Sequence, residues 1–181
     1  MIRRLFSQLW MYVLWAVAAV MFWGWIFTLL TDTAPARKVT LYADVDRMEE
    51  TLLAAKLEEE LPEGIRMVQA HPFSYVIFNE SLLANADIYI VPENEIAELA
   101  DSFAPMRPPE GAVCYEMNGE VYGIRVYEAA SRTGAAASYI TYRTDGDDSL
   151  DYYLFFGKNS LHAGEQDEAA YEIMNRLLIL P

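Results

Sequence analysis

Two histidines, one cysteine and many carboxylates are the residues that could do chemistry in this 181-residue chain. Nucleophilic catalysis needs a serine or cysteine set beside a base that a third group orients. No G-x-S-x-G is present, and His71 and His162 stand far apart with no serine at a matching spacing. No catalytic triad reads out, and the chain is expected not to be an enzyme. Cys114, between Val113 and Tyr115, reads as a small buried strand residue rather than a reactive thiol. Two histidines and a single cysteine lack zinc-ligand spacing. Asp145, Asp147, Asp148 and Asp151 could hold calcium, but a helix–loop–helix calcium loop needs Gly at its sixth position and Glu at its twelfth. Gly146 stands at the second and no such Glu follows, so the run reads as a solvated turn. The glycines are scattered and form no phosphate-cradling loop. No cofactor and no metal are expected.

Non-covalent binding asks for less. Open α/β sheets hold ligands outside the carboxyl ends of their parallel strands. Tyr42 and Asp44 end a first predicted strand, Tyr89 lies in a third, and Glu93 follows it. His71 comes directly after the second strand, ahead of a helix. Tyr127 follows the predicted strand 120–126. Beyond the N-terminal span the chain holds eleven tyrosines and no tryptophan, and amphipathic phenol rings suit strand ends and binding surfaces. Tyr42, Asp44, His71, Tyr89, Glu93 and Tyr127 are therefore the candidate ligand-binding residues. His162 reads as a turn residue next to the final helix.

The elements that must position these residues follow from periodicity. Residues 38–43 alternate and are β-rich. Asp46-x-x-Glu49 has capping-box spacing, and helical spacing follows until Pro62 and Gly64. Residues 65–70 read as a second strand. Pro72 opens a helix with Phe73, Val76, Ile77 and Leu83 inside. Residues 87–91 read as a third strand and 93–103 as a helix. After Pro105, Pro108 and Pro109, Asn118-Gly119 marks a type I′ hairpin between 112–117 and 120–126. Strands at 137–142 and 151–156 and an amphipathic helix over 167–180 complete the chain. The βαβαβα opening predicts an α/β fold: a single open, mostly parallel sheet with helices on both faces.

Ahead of this domain, residues 9–30 carry no charge over 22 positions. At 1.5 Å per residue they cover about 33 Å, enough for a hydrocarbon core of about 30 Å. A cleaved signal peptide has an apolar region of about 7–15 residues, so an uncleaved transmembrane signal anchor over 1–31 is expected, despite the small-residue run Ala34-Pro35-Ala36. A linker, 32–37, leads to the domain at 38–181. Arg3 and Arg4 precede the span and Arg37 and Lys38 follow it. The compact first flank places the N-terminus inside and the C-terminal domain outside the cytoplasm, as a single-pass cell-membrane protein. Trp10, Tyr12 and Trp25 sit where interfacial aromatic belts form. From residue 37 on there are 11 Lys and Arg against 26 Asp and Glu. That balance excludes nucleic acid as a partner, since phosphate neutralisation needs a basic face.

Four stretches carry a family resemblance: Val39-Thr40-Leu41-Tyr42-Ala43 before a helix; Ala86-Asp87-Ile88-Tyr89-Ile90-Val91-Pro92 before another; Gly119-Glu120-Val121-Tyr122-Gly123-Ile124; and Tyr152-Tyr153-Leu154-Phe155-Phe156-Gly157-Lys158-Asn159-Ser160 ahead of a closing helix with Ala169-Ala170-Tyr171. Together they resemble the extracellular solute-binding proteins of ABC transporters, the type 2 periplasmic-binding-protein-like class. The resemblance implies a two-lobed clamp of about twice this length, with the second lobe inserted after the crossover. Here only residues 127–138 stand in that place, so one lobe is expected, and a transmembrane span replaces the lipid-anchoring cysteine. The implied function is a membrane-anchored, extracytoplasmic, non-catalytic binding or accessory role linked to transport. Its partners would be the membrane through residues 9–30, a small solute, and a transporter or envelope protein. The alternative is a structural or protein-interaction module of the envelope that has lost small-molecule binding.

Overall fold

The computed structural model describes residues 2–31, 33–73, 86–143, 150–164 and 168–181. The chain forms two compact units, Met1–Ala34 and Pro35–Pro181. The first is one helix, α1 (Ile2–Thr31). Its stretch Leu9–Phe27 is long and apolar enough to cross a membrane, and none of it is buried inside protein. All four tryptophans of the chain belong to this helix.

The second unit is mixed α/β. Its first strand, β1 (Lys38–Ala43), follows a single 3-10 turn at Pro35–Arg37. Then come β2 (Arg47–Met48), α2 (Glu50–Leu57), β3 (Met67–Pro72) and β4 (Ile88–Pro92). A helical stretch over 93–102 has α3 (Ile96–Leu99) at its centre. The remaining elements are β5 (Phe103–Ala104), β6 (Cys114–Met117), β7 (Glu120–Glu128), β8 (Thr133–Gly134), β9 (Ile140–Thr141), β10 (Tyr152–Gly157) and α4 (Ala169–Ile179).

Among the described residues, one eight-stranded sheet runs β3-β1-β4-β10-β7-β6, with β5 on β10 and β8 on β7. The expected parallel arrangement holds for β3, β1 and β4. From β10 onward every pairing is antiparallel, so the sheet is mixed. The hairpin forms as its turn chemistry requires: Asn118 and Gly119 both take positive φ, 53° and 84°, the backbone of a type I′ turn.

Strand alternation sorts the interior into two clusters. Leu41, Ile88, Ile90, Leu154 and Phe156 pack with Leu53 and Leu57 of α2 and Ile173 and Leu177 of α4. The alternate positions Tyr89, Val91, Tyr153 and Phe155 pack with Ile96, Leu99 and Phe103. Buried Asp87 ties the sheet to the loop after β10. Its Oδ2 accepts from the Thr40 N–H at 2.8 Å and its Oδ1 from Ser160 Oγ at 2.6 Å.

Several expected elements are corrected. The capping box at Asp46–Glu49 does not form, and the helix starts at Glu50. Arg47–Met48 is drawn into a ladder with Ile140–Thr141, and the N–H groups of Asp46 and Glu49 donate to the carbonyls of Thr141 and Tyr139. Tertiary pairing thus takes up the backbone donors that a cap would have satisfied. Pro72 closes β3, and the helix expected after it, with Val76, Ile77 and Leu83, lies outside the described residues, as do Asp145, Asp147 and Asp148. The strand at 137–142 shrinks to β9. The helix at 93–103 survives as a single α-turn between 3-10 turns. Cys114, expected buried, is only half-buried in β6, its Sγ donating to the Ala112 carbonyl at 3.5 Å.

Candidate functional site

The strand order creates a topological switch. From β1 the chain passes to β3 on one side, then crosses to β4 on the other side of β1. Crevices that receive ligands open outside the carboxyl ends of strands at such a point. Asp44 directly follows β1 here, and its N–H still donates to the Ile90 carbonyl at 2.8 Å, extending the pairing by one residue. Its side chain is fully buried. Asp44 Oδ1 accepts from Arg143 Nη2, while Asp44 Oδ2 is buried with no hydrogen-bond partner among the described residues. Beyond β4, Glu95 turns toward the same arginine, Oε1 lying 3.8 Å from Arg143 Nη1. Glu95 Oε2 is likewise buried with no partner among the described residues.

Three packed phenols support Arg143. Tyr127 and Tyr142 stack with ring centres 4.4 Å apart, and Tyr152 meets both edge-on at 5.9 and 5.0 Å. Tyr142 OH donates to the Ala135 carbonyl at 2.8 Å, and the Arg143 N–H donates to Tyr152 OH at 3.2 Å. Burial pushes the phenols of Tyr142 and Tyr152 above their ordinary range. They are neutral packing and hydrogen-bonding groups. Burial, and secondarily the negative charge of Glu98, also raises the Glu95 carboxyl above the ordinary range. With both carboxylates ionised, the cluster holds two negative charges against one positive charge.

The six expected residues separate. Asp44 is at the centre of this cluster. Tyr42 stands in register between His71 on β3 and Tyr89 on β4, its ring 5.7 Å from the His71 ring and 6.1 Å from Phe73. His71 Nδ1 lies 3.0 Å from Glu50 Oε2 in a half-exposed pair. Tyr89 does not line an open crevice: it is 1 % exposed, its ring edge-on to Phe103 at 5.6 Å, and burial raises its phenol above the ordinary range. Glu93 is exposed, its backbone N–H donating to the Asp151 carbonyl at 3.0 Å. Tyr127 is buried in the other cluster and contributes by supporting Tyr142 and Tyr152.

The register extends further than the tyrosines. His71, Tyr42, Tyr89, Phe155, Gly123 and Tyr115 form one transverse row across β3, β1, β4, β10, β7 and β6. Gly123 leaves room for the Phe155 ring: a Cβ there would sit 2.5 Å from Phe155 Cε1. Phe103 stacks on that ring at 4.1 Å. The row is packed structure over most of its length, with Tyr42 and His71 its accessible end.

Sequence reading missed Glu95, Arg143 and Tyr152. Glu95 lies two residues beyond the expected Glu93, on the same strand-end segment. Nothing local marked Arg143, which meets Asp44 only through the fold. Of the other features, His162 is buried, its Nε2 donating to the Pro35 carbonyl at 3.2 Å and its own carbonyl accepting from the Ala170 N–H at 3.0 Å. It fastens the loop beside α4. A hollow of about 320 Å³ between Met106, Gly164 and Tyr171 is lined by Arg107. That guanidinium is already committed to Glu168 at 2.6 Å and to the face of Tyr171. Among the described residues no group of three or more His, Cys, Asp or Glu gathers as metal ligands.

Compared with known proteins, the chain matches no protein-family model, no curated protein and no solved structure.

Proposed function

We propose that the chain is a membrane-anchored, extracytoplasmic, non-catalytic binding protein, a single solute-binding-like lobe with an accessory role linked to transport. The reading rests on one observation: at the switch point between β1 and β4, two carboxylates converge on Arg143 and each keeps a buried oxygen without a partner. Buried polar atoms in folded proteins are nearly always paired, and here the exception falls where open α/β sheets bind ligands. The two apolar clusters, one with α2 and α4 and one with α3, suit a lobe with helices on both faces. A single lobe covers one side of a ligand, so affinity is expected to be modest. The test is a thermal-shift screen of the detergent-solubilised chain against sugars, amino acids, peptides and metals. A compound that raises the midpoint of the wild type but not of Asp44→Asn supports the reading. Digestion of the domain by protease added to intact cells would support the extracytoplasmic placement, and protection would reverse it.

The alternative, an envelope interaction module that has lost small-molecule binding, draws support from Tyr89 and Tyr127. Both expected crevice residues are buried in packed aromatic contacts. A screen without any shift would favour it.

A further inference from the structure

Resting on that binding reading, we infer that the Asp44–Glu95–Arg143 cluster takes a small organic cation, an ammonium or guanidinium group, on the two carboxylate oxygens that Arg143 leaves unpaired. The inference follows from what those oxygens lack. Asp44 is fully buried, and among the described residues its Oδ2 has no donor; Glu95 Oε2 is buried and has none either. Leaving such acceptors unpaired costs about 1–3 kcal/mol each, and more when charged. A ligand that supplies N–H donors recovers that cost.

Charge selects among the donors. With both carboxylates ionised the cluster lacks one positive charge. An anion would meet two carboxylates and an arginine already turned to them. A sugar hydroxyl could donate but would leave the charge uncompensated. A divalent metal needs about six or more oxygen ligands. The described residues offer two carboxylates and no third metal-ligating group, with a guanidinium alongside. A monovalent cation with several N–H donors supplies what these acceptors lack and balances the charge. Arg143 shows that the site accommodates this chemistry, since its own guanidinium occupies the other oxygen of each carboxylate. The solvent-facing part of the cluster is Glu95 and Arg143, whose side chains are 20 % and 35 % exposed.

The test uses the full chain in detergent micelles at constant ionic strength. Titrations with ethylammonium, methylguanidinium and agmatine chlorides are compared with calcium chloride, glucose and sodium acetate, read by calorimetry and by melting midpoint. At least one of the nitrogen cations is expected to bind, with affinity reduced tenfold or more in Glu95→Gln. That variant keeps the Asp44–Arg143 pair, so it is read against its own ligand-free baseline; Asp44→Asn is the second variant. Binding of glucose or acetate that is lost in these variants would overturn the cation assignment while leaving the binding reading standing. Binding of calcium alone would replace it with a metal site. Cation binding unchanged in both variants would place the ligand elsewhere and overturn the inference. No binding by any probe would overturn the inference, and a shift with another compound class in the wider screen would then decide the binding reading separately.

Discussion

The Arg143 guanidinium reaches Asp44 across 99 positions of sequence and caps a carboxylate that the sheet has removed from water. The two residues come from opposite ends of the domain's topology, one from the end of the first parallel strand and one from the stretch between β9 and β10. Their contact closes the carboxyl end of the sheet beside the switch point. It also makes Asp44 dependent on a partner that other parts of the fold must hold.

Removing that partner is the first prediction. Arg143→Met leaves Asp44 buried with no counter-charge. Breaking a fully buried pair costs about 3–5 kcal/mol; Arg143 is partly exposed, and water entry brings the expected loss to about 2–3 kcal/mol. Urea unfolding followed by tyrosine near-ultraviolet dichroism measures it. The double variant Asp44→Asn/Arg143→Met is expected to recover most of the loss, because the uncompensated charge is then gone. A double variant as unstable as the single would show that Arg143 stabilises the fold through some other contact.

Glu95 supplies a pH-dependent prediction. Burial and the nearby Glu98 charge raise its folded pKa above the unfolded value. A carboxyl shifted upward favours the folded state when protonated. Its contribution is fully present below the unfolded pKa and is lost as pH rises through the folded one. Ionised Glu95 therefore burdens the fold at neutral pH. Glu95→Gln is expected to raise the melting midpoint near pH 7.5, with the gain vanishing below about pH 4, where wild-type Glu95 is itself neutral. A variant less stable than wild type at pH 7.5 would mean that the attraction of Arg143 outweighs burial.

The close approach at the end of β10 gives a third. Gly157 donates its N–H to the Asp87 carbonyl at 3.0 Å, and a Cβ there would overlap the Ala86 carbonyl oxygen. Backbone is the obstacle, so no rotamer change relieves it. Gly157→Ala is expected to destabilise by about 2–3 kcal/mol. At Gly123 the obstacle is the Phe155 ring, pinned by its stack on Phe103, and Gly123→Ala is expected to cost about 1–3 kcal/mol. Near-neutral values at both positions would show that β10 can shift away from its neighbours.

These contacts mark how far the sequence could be read. The strands at Lys38, Ile88, Glu120 and Tyr152 were legible because alternation, β-branched residues and the Asn118-Gly119 turn agree with one another. The helix start at Asp46 was misread because a local cap competes with a distant strand, and Ile140–Thr141 wins by supplying carbonyls that the sequence does not display as neighbours. The strand-end rule singles out Asp44 and the turn that holds Glu95, which the fold brings to one arginine, Arg143. It overestimated Tyr89, since a tyrosine in a central strand carries the same letter whether its ring lines a crevice or fills the layer beneath one. Arg143 was out of reach, because its role depends on Tyr142 and Tyr152 folding back together.

The placement of the tryptophans yields the last prediction. All four lie in α1 and none in the Pro35–Pro181 unit, which is rich in tyrosine. Tryptophan emission therefore reports on the apolar helix alone, and tyrosine dichroism mainly on the domain, which holds eleven of the twelve tyrosines. If Leu9–Phe27 spans a bilayer, emission from the chain in lipid vesicles should be blue-shifted and quenched by lipids brominated along the acyl chains. Trp10 and Trp25, near the ends of a 19-residue span, should be quenched best by shallow bromines, since indoles favour the headgroup level, and Trp15 by deeper ones. Single-tryptophan variants with Phe at the other three positions separate these depths. Urea that abolishes the tyrosine signal should leave the emission unchanged, because the helix satisfies its backbone hydrogen bonds internally and needs no support from the domain to remain in lipid. Emission that moved together with the tyrosine signal, or that brominated lipids failed to quench, would show that the helix is not held in the bilayer.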